Sequence, residues 1–232
     1  MKKESKKLLW IGLVVVVIIG GGVWAYNANQ QPVAVTPTVN GNLLINANSH
    51  STDQGTRTYP VTIVEFGDYE CPACGYAEPI VEKILPADPQ VRLVFRNFPL
   101  PQHQFALIAA EAAEAAGAQG KFWEMHNAIY ANQDVWTTMQ TPMDAFVEMA
   151  KKLNLDVAKF TADVNSNKYA DIITKDRQDG ITLGVDSTPT FYINGRQYLG
   201  GLDYNTMQLA IQDAMAPSAT QQTGSTQAST QQ

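Results

Sequence analysis

The chain opens on an unbroken apolar block, ends in a polar tail, and between them alternates short apolar runs with amphipathic stretches. LLWIGLVVVVIIGGGVWAY, residues 8–26, has no charged side chain over 19 residues. As a helix it would reach about 28 Å, close to the hydrocarbon thickness of a bilayer. VTIVEF (61–66) and VRLVFRNF (91–98) are short, β-branched and almost continuously apolar, the pattern of buried strands. CPACGYAEPIVEKIL (71–85) between them reads as a helix with Pro72 placed at its first turn. Strand, helix and strand at this spacing predict a right-handed βαβ unit.

Helical spacing or composition then recurs at 104–117, 121–132, 142–153, 155–164 and 167–184. Next, TFYI (190–193) and RQYL (196–199) flank Asn194-Gly195, a strong hairpin signal. DYNTMQLAIQDAM (203–215) predicts a last amphipathic helix with Asp203 as its N-cap. Residues 27–58 are polar and Asn/Thr-rich and predict a tether, with a short strand at Leu43-Leu44-Ile45. Residues 217–232 are low in complexity and predict disorder. The expected folded body is therefore 59–216, of α/β class: βαβ, a helical insertion over about 102–184, then ββα. The chain has no internal repeat.

Charge adds an orientation. The net charge of -6 hides a first segment, residues 1–7, with four Lys and one Glu, so the remainder carries -9. An acidic body gives no footprint for nucleic acid. The lysines before the apolar run put the N-terminus in the cytoplasm and the body outside, with Trp10, Trp24 and Tyr26 near the two interfaces. A cleaved signal peptide is the rival reading, with Val23-Trp24-Ala25 as a small-x-small site. The length of the run, which continues through the glycines, favours a retained anchor. Either way the body is exported, to the periplasm or the extracellular face.

Export sharpens the reading of the only two cysteines, Cys71 and Cys74. A bridge between them would enclose two residues and remove little entropy from the unfolded chain, so it is a poor staple. The three histidines, His50, His103 and His126, lie at no spacing that completes a zinc site. Haem attachment needs His after the second cysteine, where this chain has Gly75. Redox chemistry remains. With Pro72 as the first helical residue, Cys71 is the N-cap, and first-turn N–H groups point at its sulfur and favour a thiolate. Cys74 lies on the same side of the helix and can close a disulfide with it. Cys71 then attacks or is attacked, and Cys74 resolves.

These motifs resemble the DsbA-like thiol–disulfide oxidoreductases of the thioredoxin fold, over roughly residues 60–216. The resemblance rests on CPAC at 71–74, Pro79 five residues later, Glu65 six before Cys71, and Thr188-Pro189 ahead of a strand. It implies a cis Thr188-Pro189 peptide opposite the cysteines, where Thr188 offers backbone to a client strand. On sequence grounds alone an X–Pro bond is expected to be trans. It also implies that Glu65 passes protons to and from Cys74. The residue pattern agrees, since Glu65 shares a strand face with Val61 and Ile63, and a lone buried carboxyl tends to hold its proton. Pro72 and Ala73 form the dipeptide that tunes the pair. The enterobacterial DsbA has His at the second of these positions, and Ala73 lacks its help to the thiolate.

Other residues invite plainer readings. Pro79 removes a helical hydrogen bond to Gly75. His103 is read as a surface histidine at the start of the insertion, and Phe122, Trp123 and Tyr130 as core. Asp68 and Glu70 oppose ionisation of Cys71, but as loop residues they are expected to be solvated and screened.

The expectation is a membrane-tethered, extracytoplasmic enzyme that forms disulfides in exported proteins through a mixed disulfide at Cys71, without organic cofactor or metal. Its partners would be unfolded exported proteins with cysteines and a quinone-linked DsbB-type membrane thiol oxidase. An anchored thiol reductant or disulfide isomerase is the alternative. From another class, the alternative is a non-catalytic binding module with a vestigial CxxC.

Overall fold

A computed structural model describes residues 39–47, 49–52 and 59–216. A short helix α1 (Gly41–Leu44) and a two-residue strand β1 (His50–Ser51) lead into β2 (Val61–Gly67). Helix α2 (Pro72–Ala87) then crosses to β3 (Val91–Asn97), which pairs in parallel with β2 from Val61↔Val91 to Gly67↔Asn97. The helical insertion follows as α3 (Ala106–Gly117), α4 (Phe122–Ala131), α5 (Gln133–Trp136), α6 (Met143–Lys152), α7 (Val157–Asn165) and α8 (Ala170–Thr182). Strands β4 (Thr190–Ile193) and β5 (Arg196–Gln197) and helix α9 (Tyr204–Met215) complete the order. The expected βαβ, insertion, ββα sequence is the one observed.

The sheet runs β1-β3-β2-β4-β5, and only the β2–β3 pair is parallel. The β4–β5 hairpin turns on Asn194 and Gly195 at φ 47° and 80°. Positive φ at both positions matches the right-handed twist of the strands, and Asn-Gly tolerates it best. Asp203 caps α9 by accepting from Thr206 N at 3.0 Å.

Alternation along the central strands gives the sheet two distinct faces. Ile63, Glu65, Leu93 and Phe95 share one, by their register. Phe95 there joins the core of the insertion, with Phe122, Met125, Ile129, Trp136, Phe146 and Phe160. The alanine run of α3 makes this packing close, since Ala109, Ala112, Ala113 and Ala116 are all buried and let neighbouring helices approach. On the other face Val64, Phe66 and Val94 pack with Leu44, Phe98, Val185 and Tyr192.

Three sequence expectations change. Leu43 and Leu44 lie in a helix instead of a strand, because Asn40 caps it from outside, accepting from Asn42 N at 3.0 Å. Their carbonyls are taken by the buried Arg96 guanidinium, both at 2.8 Å. The strand in this region is His50–Ser51, paired antiparallel with β3, so part of the segment read as a tether is built into the sheet. Helix α5 was not expected. The apolar run 8–26 and the tail 217–232 lie outside the described residues. Among the described residues no helix is long and apolar enough to cross a membrane.

Candidate active site

The site forms where the end of β2 turns into α2. Cys71 is the N-cap of α2 with extended backbone, and Pro72 occupies the first turn. The Cys71 carbonyl accepts from Cys74 N at 3.1 Å and Gly75 N at 3.2 Å, which fixes the turn. The Cys71 thiol is 7% exposed and donates to the Thr188 carbonyl at 3.3 Å. The Thr188-Pro189 peptide is cis. The resemblance thus gave the right isomer where sequence statistics pointed the other way. Pro72 and Ala73 are exposed at the mouth.

Both cysteines are free thiols, and they are unequal. A hydrogen bond from the Cys74 thiol, seconded by Thr188 and by the N–H groups of Cys74 and Ala73, lowers the Cys71 pKa to about 5 in spite of burial. Cys74 is fully buried, and burial, followed by the shared hydrogen bond and the charge of Glu65, raises its pKa well above the ordinary thiol value. The N–H of Asp68 donates to its sulfur at 3.5 Å. One hydrogen bond between the two sulfurs therefore favours the Cys71 thiolate and holds the proton on Cys74.

Glu65 is 1% exposed, and its Oε2 has no hydrogen-bond partner among the described residues. Burial first, then the charges of Glu78 and Cys71, push its carboxyl well above the usual carboxylate range. A carboxyl in this state holds a proton and is poised to give it up. The charge of Cys71 reaches Glu65 and that of Glu65 reaches Cys74, so the structure brings Glu65, Cys71, Cys74, Thr188 and Pro189 to one corner.

Asp68 and Glu70 require a correction, since neither is a free solvated acid. Asp68 is 1% exposed. Its Oδ1 accepts from Glu70 N at 2.8 Å, and its Oδ2 accepts from Leu100 N and meets His103 Nδ1, each at 2.8 Å. Glu70 accepts from Phe105 N. The loop folds back on residues 100–105, where backbone donors need acceptors, and the two acids supply them. His103 is then a fastening of the active-site loop, more than a surface histidine. Its partner lies 35 positions earlier, so no local pattern signalled it.

Gln133 was missed altogether. Its Nε2 donates to the carbonyls of Tyr69 at 2.7 Å and Cys71 at 2.9 Å, so α5 clamps the loop that carries Cys71. A signal existed in Gly75. A glycine inside a helix costs about 1 kcal/mol against alanine, and a Cβ here would stand 2.4 Å from Gln133 Oε1. A buried polar chain beside the cysteines was missed as well. Tyr69 Oη meets His126 Nδ1 at 2.9 Å, and His126 Nε2 meets Glu78 Oε2 at 3.2 Å.

Comparison with known proteins places this arrangement. The thioredoxin family model matches residues 46–213. The Na(+)/H(+) antiporter NhaA 1 of Salinispora arenicola (strain CNS-205) is 40% identical over 164 residues, covering 70% of this chain and 24% of that protein. NhaA 1 of Mycobacterium sp. (strain KMS) is 34% identical over 165 residues, covering 68% and 26%. The chain thus spans about a quarter of the length of the curated relatives it matches. Among solved structures, a thioredoxin-like oxidoreductase from Silicibacter pomeroyi DSS-3 is similar at TM-score 0.63 and 28% identity, covering 76% of this chain and 98% of that one. Oxidised BdbD from Bacillus subtilis shares the fold at TM-score 0.64 and 22% identity, covering 79% and 99%. The thiol-disulfide exchange protein alpha-DsbA2 from Wolbachia pipientis does so at 0.64 and 20%, covering 75% and 90%.

Proposed function

Because the chain belongs to the thioredoxin family, we propose that it is a thiol–disulfide oxidoreductase that forms disulfides in exported proteins. The observation that carries the reading is the split between its two thiols, Cys71 lowered to about 5 and Cys74 raised. In the oxidised form, a client thiolate attacks the Cys71 sulfur. The Cys71–Cys74 bond breaks, Cys74 leaves with the electron pair and takes up a proton, and Glu65 is placed to supply it. A second client thiolate then attacks the client sulfur of the mixed disulfide, and Cys71 leaves as a stable thiolate. Two electrons have passed from the client dithiol to the cysteine pair. The reverse sequence, with a DsbB-type membrane thiol oxidase as acceptor, restores the disulfide.

Direction follows from the leaving group. A thiolate held at about pH 5 stabilises the reduced form, so the protein gives its disulfide away. Thr188 lies against Cys71 with its carbonyl at 3.3 Å, where an extended client backbone could add alongside. The antiporter names belong to proteins of which this chain spans a quarter. The dithiol is its own, and the reading rests on that.

On this reading the catalytic domain lies outside the cytoplasm, held by residues 8–26; the uncharged apolar run and the lysines before it support this. Equilibration with glutathione tests the direction. The potential should fall between roughly -270 mV, as in thioredoxin, and -120 mV, as in DsbA. A value at or below thioredoxin's would assign the anchored reductant instead. Cell fractionation tests the anchor: the protein should stay with the membrane until protease cuts within 27–58. A soluble form beginning near Tyr26 would assign a signal peptide.

A further inference from the structure

The exchange mechanism leaves a question about the proton. Cys74 and Glu65 are both shut away from solvent, at 0% and 1% exposure, yet each turnover moves a proton on or off Cys74. Glu65 can hold that proton for one step but must then exchange it with water. Three buried polar groups beside it have no part in the chemistry so far.

Tyr69 stands between Cys71 and the end of β2, in the same packed cluster as Cys74 and Tyr130. Its hydroxyl meets His126 Nδ1 at 2.9 Å, and His126 Nε2 meets Glu78 Oε2 at 3.2 Å. His126 is fully buried among the rings of Tyr69, Phe95, Phe122, Trp123 and Tyr130. A histidine with a hydroxyl on one nitrogen and a carboxylate on the other can accept at Nδ1 while donating at Nε2. Glu78 is nearly buried, but Glu82, one turn further along α2, is exposed and bonded to Asn127. The hydrogen-bonded run therefore goes from the Tyr69 hydroxyl to Glu78, one helical turn from exposed Glu82, and the Tyr69 ring packs in the cysteine cluster. At its inner end, Glu65 Oε2 and the Tyr130 hydroxyl are buried with no hydrogen-bond partner among the described residues. Buried polar atoms left open are rare, and here two share one cluster.

We infer that Tyr69, His126 and Glu78 form a proton path between the Glu65–Cys74 pair and the surface, and that the resolving thiol gains and loses its proton along it. The inference rests on the exchange reading above. When Cys74 is released as a thiolate, it takes the proton of Glu65. In the oxidised protein the imidazole proton sits on Nδ1: Glu65 takes the Tyr69 hydroxyl proton, the hydroxyl takes the Nδ1 proton, and Nε2 takes a proton that enters at Glu78, which leaves Nε2–H donating to Glu78. Reoxidation runs the same transfers outward. The path neither makes nor consumes electrons. Tyr69, His126 and Glu78 are positioning residues, since none of them touches the client. The ionisable groups that face the path are Glu65 on β2, Cys71, Cys74 and Glu82 around α2, Glu114 on α3 and Tyr130 on α4.

The test separates attack from resolution. The reduced full chain is mixed rapidly with oxidised glutathione and quenched in acid. Mass then reports formation of the glutathione adduct at Cys71 and its loss as Cys74 closes the disulfide. His126→Phe is the obvious variant, but it leaves two buried groups unpaired and can fail to fold. Tyr69→Phe removes a single oxygen, and Glu78→Gln keeps the shape. In both, adduct formation should stay within about twofold of wild type. Closure should slow about tenfold near pH 7, less than the roughly 100-fold of a group that transfers the proton directly. The deficit should shrink as pH rises toward 9, because hydroxide then removes the Cys74 proton without the path. Wild-type closure rates in both variants overturn the path. So does a deficit that is equal at every pH and tracks a lowered melting temperature, since that is the mark of a packing role. A wild-type protein that forms no adduct at Cys71 overturns the exchange reading itself, and needs no variant to show it.

Discussion

The two faces of the central sheet each bury charge, and they treat it in opposite ways. On one face Arg96 is fully buried and fully paired. Its Nε meets Asp176 Oδ1 and its Nη2 meets Asp179 Oδ2, each at 2.7 Å, while Nη1 donates to the Leu43 and Leu44 carbonyls at 2.8 Å. On the other face, one residue earlier in the β2 register, Glu65 is equally buried and leaves Oε2 open. A buried charge is tolerated only when paired and hydrogen-bonded. Arg96 meets that condition, so it stays charged and ties α1 and α8 to the sheet. Glu65 does not, so it keeps its proton, and a proton that is held without a partner is one that can be moved. Satisfaction marks the structural cluster, and its lack marks the working one.

The largest contrast comes from one substitution on each face. Cys71→Ser should leave no measurable exchange, because the sulfur that enters the mixed disulfide is gone, while the chain still folds cooperatively. Cys74→Ser should instead accumulate client adducts, seen as reducible bands on a gel. Adducts through Cys74 in place of Cys71 would reverse the roles. Arg96→Leu should do the opposite of Cys71→Ser. Breaking one side of a buried pair costs about 3–5 kcal/mol, visible in urea unfolding, and the fraction still folded should exchange normally. Replacing Arg96, Asp176 and Asp179 together by apolar residues should recover most of the loss. If the triple variant is no better than the single one, pairing is not what the cluster does.

A smaller effect tests the open side. Glu65→Gln keeps the shape and removes the carboxyl proton. Resolution by Cys74 should slow roughly 100-fold, the low end of the range for general acid–base groups. Stability should hold or rise, since a costly buried carboxyl is gone. A large loss of stability with unchanged resolution would make Glu65 a structural residue like Arg96.

This contrast was half legible in the sequence. Glu65 stands out because it is the one charge in the almost continuously apolar VTIVEF and shares a face with Val61 and Ile63. Arg96 sits in an equally apolar strand and drew no comment, since its acids lie 80 and 83 positions away. The same distance rule explains the other gains and losses. The βαβ unit, the Asn194-Gly195 hairpin and the Cys71 cap are local and were read correctly. Helix α1 and strand β1 are very short, and long-range bonds to β3 stabilise them, so the first reads as a strand at Leu43-Leu44-Ile45 and the second as tether. Asp68 and Glu70 were judged by being in a loop, when what fixes them is where that loop returns. His126 lies inside an aromatic helical stripe, where a histidine reads as core until its two partners are known.

The smallest predicted effect carries the comparison into thermodynamics. Burial and pairing act alike in both redox forms, whereas the cysteine pair should change stability with pH in only one of them. In the reduced protein, Cys71 titrates near 5 when folded, against about 9 for an ordinary thiol. Below pH 5 both states hold the proton and nothing is gained. As pH rises from 5 toward 9, the folded state has released its proton and the unfolded state has not, so the thiolate stabilises the fold increasingly. Above 9 the raised pKa of Cys74 works the other way, so the useful window closes there. The oxidised protein has no thiol to titrate, and its disulfide encloses two residues, which constrains the unfolded chain little. Burial is the leading cause of the Glu65 shift and does not depend on the cysteines, so that part cancels between the two forms. The reduced form should therefore melt higher than the oxidised one at pH 8, and the gap should narrow steadily toward pH 5. Paired melting curves across that range measure it. A gap that stays constant, or an oxidised form that melts higher throughout, would mean that the thiolate is not what separates the two states, and the case for a disulfide donor would lose its energetic basis.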